Sequence, residues 1–416
     1  MKQEFLSILE CYMHDGVYSF PEDFDQLEEL YKFSQNHKMV AAVFEQIRRD
    51  DICQKDKYQA LMMEWKQEAI RSTMLQIQRE AEFLRLYQEL VDAGCKPLVV
   101  KGIACRYLYS KPDYRISSDE DLLIRREDFE QCDRVILQAG YWRSDLDTSV
   151  SIPQEITYRH PKTGAVIELH LELFSKESGA YGHLNDEFSD VWEHVISFPV
   201  KGVKIWTLSW TDHLFYLICH ALKHFLHGGF GIRQVCDMVM MIEFAAAEGQ
   251  RMQWDVLEEK LSRLHMDAFW SGLAEIGRVY LGFDWAKVAY PVKLQASYVG
   301  MEDLLEDLLD SGIYGGSTMA RRHSANITLS AAQSGKRNTI FSLLNSLFPE
   351  LSYMKSRYPW VKRTPMLLPF AWMVRIVQYL GNRKNFDTLD TSDTKTSLEI
   401  GMERVELLRK YRIIDE

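Results

Sequence analysis

The hydrophobic period of this chain changes twice, and each change marks a boundary. Up to about residue 94, apolar positions recur every three or four residues. In "YQALMMEWKQEAIRSTMLQIQREAEFLRLYQELVDAG" good helix formers carry that spacing as far as Gly94, which predicts an N-terminal helical segment over 1–94. The texture then shortens. "KPLVVKG" (96–102) is an apolar run bounded by Pro97 and Gly102 and predicts a buried strand. "IACRYLYS" predicts a helix, "DEDLLIR" a second strand, and "REDFEQCDRVILQAG" a helix closing at Gly140. "EITYRHPKTGAVIELHLELF" alternates on both sides of a Pro-Lys-Thr-Gly turn, a β-hairpin pattern, and "FPVKGVKIWTLS" predicts a smaller hairpin around Lys201-Gly202.

After Trp210 the helical period returns. "TDHLFYLICHALKHFL" has an N-cap expected at Thr211 or Asp212, and "IRQVCDMVMMIEFAAAEG" and "VLEEKLSRLHM" continue the pattern. The polar, turn-rich stretch "RKNFDTLDTSDTK" (383–395) predicts a linker before a short final helix. No internal repeat is visible. The expected fold class is α+β: a small mixed β-sheet core over 95–208, flanked by the helical segment 1–94 and a C-terminal helical domain over 209–382, with a linker and terminal helix over 383–416.

Composition narrows the function classes. A chain of 416 residues exceeds one ordinary core, and 46% hydrophobic with 26% charged residues suits a packed interior. The 49 Lys and Arg against 60 Asp and Glu give a formal charge of −11, which argues against a dedicated sequence-independent nucleic-acid binder. Seven cysteines are scattered without a CxxC pair, so neither a disulfide framework nor a thiolate zinc site is expected, and a reducing cytoplasm fits best. The start carries acidic residues within its short apolar run, unlike a signal peptide. No uncharged apolar run approaches the ~20 residues that span a bilayer, so stable membrane insertion is not expected. The nearest, "TPMLLPFAWMVRIVQYLG" (364–381), is broken by Pro369 and Arg375 and predicts a buried or interfacial helix.

One stretch looks out of place. "RISSDEDLLI" (115–124) sets three carboxylates side by side at the mouth of an apolar strand. Strand alternation puts Asp119 and Asp121 on one face and Glu120 on the other. Like charges so placed repel unless a cation lies between them. A divalent metal such as Mg²⁺ takes its oxygens from one or two carboxylates plus water and phosphate, and two such ions about 4 Å apart can activate one oxygen and stabilise another. In "AVIELHLEL" Glu168, His170 and Glu172 share a face, and Glu168 completes a three-carboxylate site if its strand lies beside that of Asp119. The bend at Lys101-Gly102, opening into a helix, offers backbone N–H groups, a compact charge and room for a phosphate. Its plain alternative is a routine strand-to-helix turn. Arg115 has two candidate partners, a phosphate or an acidic side chain.

A strand ending in Lys-Gly, then Arg-x-x-x-Asp-x-Asp-Leu-Leu-Ile, a helix closing at "AGY" and Ile-Glu-Leu-His resemble the nucleotidyltransferase-like group of the polymerase-beta superfamily, and within it an uncharacterised bacterial family. The resemblance spans roughly 80–380, and "LFPELSYMKSRYPWVKRTPMLLPFAWMVR" resembles that family's C-terminal region. It implies that Asp119, Asp121 and Glu168 are the catalytic, metal-holding carboxylates for Mg²⁺ or Mn²⁺. It also implies that Gly102 matches the turn glycine, with Lys101 in place of the usual serine contact to phosphate. Lys101, Gly102, Arg115 and His170 are the expected nucleotide-binding residues. The implied reaction is in-line attack by an acceptor hydroxyl on the α-phosphorus of an NTP, with pyrophosphate leaving. The acceptor stays open: a small molecule, a glycan or lipid intermediate, a protein or RNA.

Two further readings compete with that enzyme. One is a catalytically lapsed module of the same fold that binds a nucleotide or a partner. The other is an unrelated helical interaction protein. His220, His224 and His227 in "LICHALKHFLHGG" share a helix face, a spacing compatible with zinc, with a polar cleft wall, or with plain structural histidines. Asp237 lies in an apolar stretch and is expected to orient a histidine or cap a core network. "RRHSAN" and "KSRYPWVKR" are short basic patches, expected as solvated faces or as contacts to RNA or headgroups.

Overall fold

The computed structural model describes residues 1–144, 154–312, 319–334, 354, 358, 367–374 and 392–414. Seven strands form one mixed sheet: β1 (Leu98–Val99), β2 (Asp119–Leu123), β3 (Trp142–Arg143), β4 (Glu155–Arg159), β5 (Val166–His170), β6 (Ile196–Val200) and β7 (Val203–Thr207). They lie in the order β3-β4-β5-β2-β1-β7-β6. The β2–β5 and β1–β7 pairs are parallel and the others antiparallel. The β6–β7 hairpin turns through Lys201 and Gly202, both with positive φ, the turn whose twist matches the flanking strands. The α+β expectation holds: helices flank a small mixed sheet.

Before the sheet come α1 (Lys2–Met13), α2 (Leu27–Asn36), α3 (Val40–Ile47) and the long α4 (Gln59–Asp92). Within it lie α5 (Ile103–Arg106) and α6 (Phe129–Gln138); after it come α7 (Trp210–His227) and α8 (Arg233–Ala247). One apolar face of the sheet, with Val99, Leu122, Ile124, Ile156, Ile167 and Leu169, packs on Phe83, Leu86, Tyr87 and Leu90 of α4 and Cys132 and Ile136 of α6. The opposite face joins a larger core that runs from α1 and α3 through Leu98 and Val100 to α7 and α8.

His213 ties α7 to the sheet. Its ring nitrogens lie 2.7 Å from the Val100 carbonyl oxygen and 3.1 Å from Thr207 Oγ1. Burial drives this imidazole down to about 4, so it is neutral.

Several local expectations shift. The helix expected over 103–110 is a single turn. The α7 cap is Ser209, whose Oγ accepts from the Asp212 N–H at 3.1 Å, because the helix starts two to three residues earlier than expected. The last helix, Ser392–Lys410, begins inside the stretch expected as linker, the rest of which (383–391) lies outside the described residues. Within "RRHSAN", Arg321 is buried and paired with Asp307, so that end of the patch is no solvated face. Of 364–381, residues 367–374 are described and 368–374 are helical; "KSRYPWVKR" lies outside the described residues but for Tyr358. All seven cysteines are free thiols. Among the described residues no helix is long and apolar enough to cross a membrane.

Candidate active site

The site begins with register. β2 pairs with β5 so that Asp121 stands beside Glu168 and Leu123 beside His170, while β4 sets Glu155 beside His170 on the other flank. Alternation therefore gathers Asp119, Asp121, Glu168, His170 and Glu155 on the α7 side of the sheet. Ligand atoms of Asp121, Glu168 and His170 all lie within 4.8 Å of one another. Asp119 precedes Asp121 on the same face, accepts from Ser118 Oγ at 3.2 Å, and stays outside that tightest trio. Lys101 Nζ lies 4.0 Å from Asp121 Oδ2. Of the three carboxylates expected to converge beside the Lys101-Gly102 bend, Asp121 and Glu168 are thus brought together.

The histidine does more than share the face. His170 Nε2 is 3.3 Å from Asp121 Oδ1 and 3.8 Å from a Glu168 oxygen, and its Nδ1 is 3.6 Å from Glu155. Burial opposes the charge on Asp121, but Lys101 and the His170 contact prevail and hold its carboxyl well below the usual carboxylate range. For His170, burial favours the neutral ring, yet the bond to Asp121 and the charges of Asp121, Glu155 and Glu168 raise it. Burial pushes Glu168 up to about 7, helped by the charges of Asp121, Asp119 and Glu155.

These residues fit a divalent cation. Asp121 Oδ2 is buried with no hydrogen-bond partner among the described residues, while His170 occupies the other oxygen. A buried carboxylate oxygen left so is costly unless something electropositive meets it. Two carboxylates and one imidazole form a donor set that Mg²⁺ or Mn²⁺ can share with phosphate and water.

Behind the strand, Glu120 shapes the bend. Its carboxylate takes the Ile103 N–H at 2.7 Å and pairs with Arg106 at 2.6 Å. Arg106 also reaches Glu80 at 3.4 Å, and Lys201 meets Glu80 at 2.7 Å. Gly102 has φ +58, and a Cβ there would stand 2.0 Å from Glu120 Oε2. The glycine therefore admits a neighbouring carboxylate, where the sequence suggested a ligand. Of the N–H groups expected to cradle phosphate, Ile103 donates to Glu120 and Ala104 to the Lys101 carbonyl oxygen at 3.2 Å.

Arg115 takes the second of its two candidate partners. Its Nε and Nη2 donate to Asp237 at 2.6 and 2.5 Å, and Tyr109 Oη donates to the same carboxylate at 2.9 Å. Asp237 thus caps a core network that holds the buried guanidinium. The three α7 histidines divide: His220 and His224 face each other with Nε2 atoms 3.3 Å apart, while His227 bonds Tyr181 Oη at 2.9 Å. Among the described residues they form no metal-binding trio.

The sequence reading missed Glu155 and Lys223. Counting outward from the hairpin turn would have paired Glu155 with His170. Lys223 follows His220 by three residues, a helix-face spacing, and its charge helps keep Asp121 ionised.

A family model described as an uncharacterised nucleotidyltransferase matches residues 24–281, more than half of the chain. The match starts earlier than the resemblance suggested and ends before the stretch 347–375. No curated protein and no solved structure matches the chain.

Proposed function

This chain belongs to a family of uncharacterised nucleotidyltransferases, and from that premise we propose that it transfers a nucleoside monophosphate from an NTP to an acceptor hydroxyl with release of pyrophosphate. The observation that carries the proposal is the meeting of buried Asp121 with half-buried Glu168 across the β2–β5 register, beside Lys101. Asp121 and Glu168, with Asp119 at the rim, would hold Mg²⁺ or Mn²⁺. The cation, when bound, supplies charge neutralisation for the triphosphate and the leaving pyrophosphate.

The chain's own groups do the remainder. Lys101 binds a phosphate oxygen and, with His170, keeps Asp121 ionised. His170 holds one oxygen of Asp121 and so aims the other, which makes it a positioning residue in this scheme. Glu120 and Gly102 fix the bend that carries Lys101. The acceptor oxygen forms its bond to the α-phosphorus as the bond to the bridging oxygen breaks. The hydroxyl proton passes to the Glu168 carboxylate and the electron pair leaves with pyrophosphate. Catalysis on this scheme is positioning and electrostatics.

The test is pyrophosphate release from each of the four NTPs with Mg²⁺ or Mn²⁺. Release that disappears in Asp119→Ala/Asp121→Ala supports the enzyme. Nucleotide binding without release supports the lapsed module and sinks the proposal.

A further inference from the structure

The face of α7 that looks at the carboxylates carries Lys223 and a run of histidines, and the proposed transfer chemistry does not use it. His213, Tyr216, His220, Lys223, His224 and His227 recur at helix-face spacing, so once His213 is pinned to β1 and β7 the stripe beyond it runs along the sheet. The stripe reaches the site. The charges of Asp121 and Glu168 bear on the buried Tyr216 hydroxyl, and Lys101 and His170 bear on His220.

His220 is 5% exposed, and its Nδ1 has no hydrogen-bond partner among the described residues. Its Nε2 faces His224 Nε2 at 3.3 Å, so in that pair one ring donates and the other accepts. Burial, with Lys101 close by, keeps both rings neutral. A buried ring nitrogen without a partner is expensive in a finished core and useful beside a ligand.

We propose that Lys223, His220 and His224 of α7, together with Lys101, form the wall that binds the β- and γ-phosphates of the NTP, opposite the carboxylates of β2 and β5. This rests on the nucleotidyl-transfer reading and names the part of the site that grips the leaving group. Two lysines supply charge; His224 Nε2–H donates to His220 Nε2, which leaves the Nδ1–H of His220 as the pair's directional donor to a phosphate oxygen. Placed across from Asp121 and Glu168, the wall gives the phosphate chain cationic and neutral donors on its helix side and carboxylates on its strand side, an arrangement in which a shared cation completes the balance.

The experiment is calorimetric titration of the full chain with magnesium pyrophosphate. Wild type is expected to bind. Lys223→Met and His224→Gln are each expected to weaken binding about tenfold or more, with Lys223→Arg retaining it. Matching thermal midpoints among the variants separate lost contacts from lost folding. Wild-type binding that Lys223→Met and His224→Gln leave unchanged overturns the wall, as does no binding by wild type. Binding that follows this pattern while no NTP releases pyrophosphate sinks the transfer reading and leaves the wall standing, so the two failures are distinguishable.

Discussion

Gly102→Ala tests how the site is built. A methyl at this position would meet Glu120 Oε2 at 2.0 Å, Glu120 Cδ at 2.7 Å and the Asp119 carbonyl oxygen at 3.0 Å, on a backbone with φ +58. With ψ −116 this is outside the left-handed helical region and favours glycine alone, so holding an L-residue there costs about 1–3 kcal/mol. The methyl also evicts the Glu120 carboxylate, which leaves the Ile103 N–H buried without its acceptor at about 1–3 kcal/mol and disturbs the buried Glu120–Arg106 pair. The backbone and lost-acceptor parts together come to about 2–6 kcal/mol. Gly202→Ala is the control, since Gly202 has φ +86 but nothing within 4 Å of its would-be Cβ, so it carries only the backbone part, about 1–2 kcal/mol. Urea unfolding of both variants reads the difference directly. Equal losses in the two would refute the claim that Gly102 is there for Glu120.

Three further outcomes follow from the same structure. Arg115→Met leaves Asp237 buried without its cation and is expected to lose about 3–5 kcal/mol in urea unfolding. The folded fraction should bind pyrophosphate as wild type does, and selective loss of binding would return Arg115 to the phosphate set. His213, held near 4 against an ordinary 6.5, is less basic folded than unfolded. The unfolded state therefore binds the extra proton as pH falls through that window, and stability should drop by about 3 kcal/mol between pH 6.5 and 4 on this account. Denaturation curves of wild type and His213→Gln across that range check it: a variant with the same acid slope removes His213 as the cause. Ser209→Ala removes the α7 cap and is expected to cost about 1 kcal/mol in thermal unfolding, against no change if water replaces the hydroxyl fully.

Much of this was legible in the residues, and what was not has a physical reason. Period-2 alternation in 155–170 placed Glu168 and His170 on one face, and the β4–β5 pairing follows from the same pattern. The β2–β5 adjacency that sets Asp121 beside Glu168 is a non-local parallel pairing with forty-odd residues between its strands, and alternation alone cannot choose it. The resemblance suggested it. Arg115 and Gly102 share one ambiguity: from sequence, a cation or a glycine next to a suspected site looks like a ligand contact. In the fold each meets a carboxylate, Asp237 from α8 and Glu120 from the far side of β2. Lys223 was passed over because nothing in the helical half says which face of α7 meets the sheet until His213 bonds Val100.

If Asp121 and Glu168, with Asp119, hold a divalent cation beside Lys101, its binding must depend on those carboxylates. Electron paramagnetic resonance titration of Mn²⁺ tests it without requiring the acceptor. Wild type and the distant control Asp255→Asn should bind Mn²⁺ equally, while Asp121→Asn and Glu168→Gln should each weaken binding by about tenfold or more. Mn²⁺ bound as tightly by Asp121→Asn as by wild type, or not bound by wild type with or without an NTP, would contradict it.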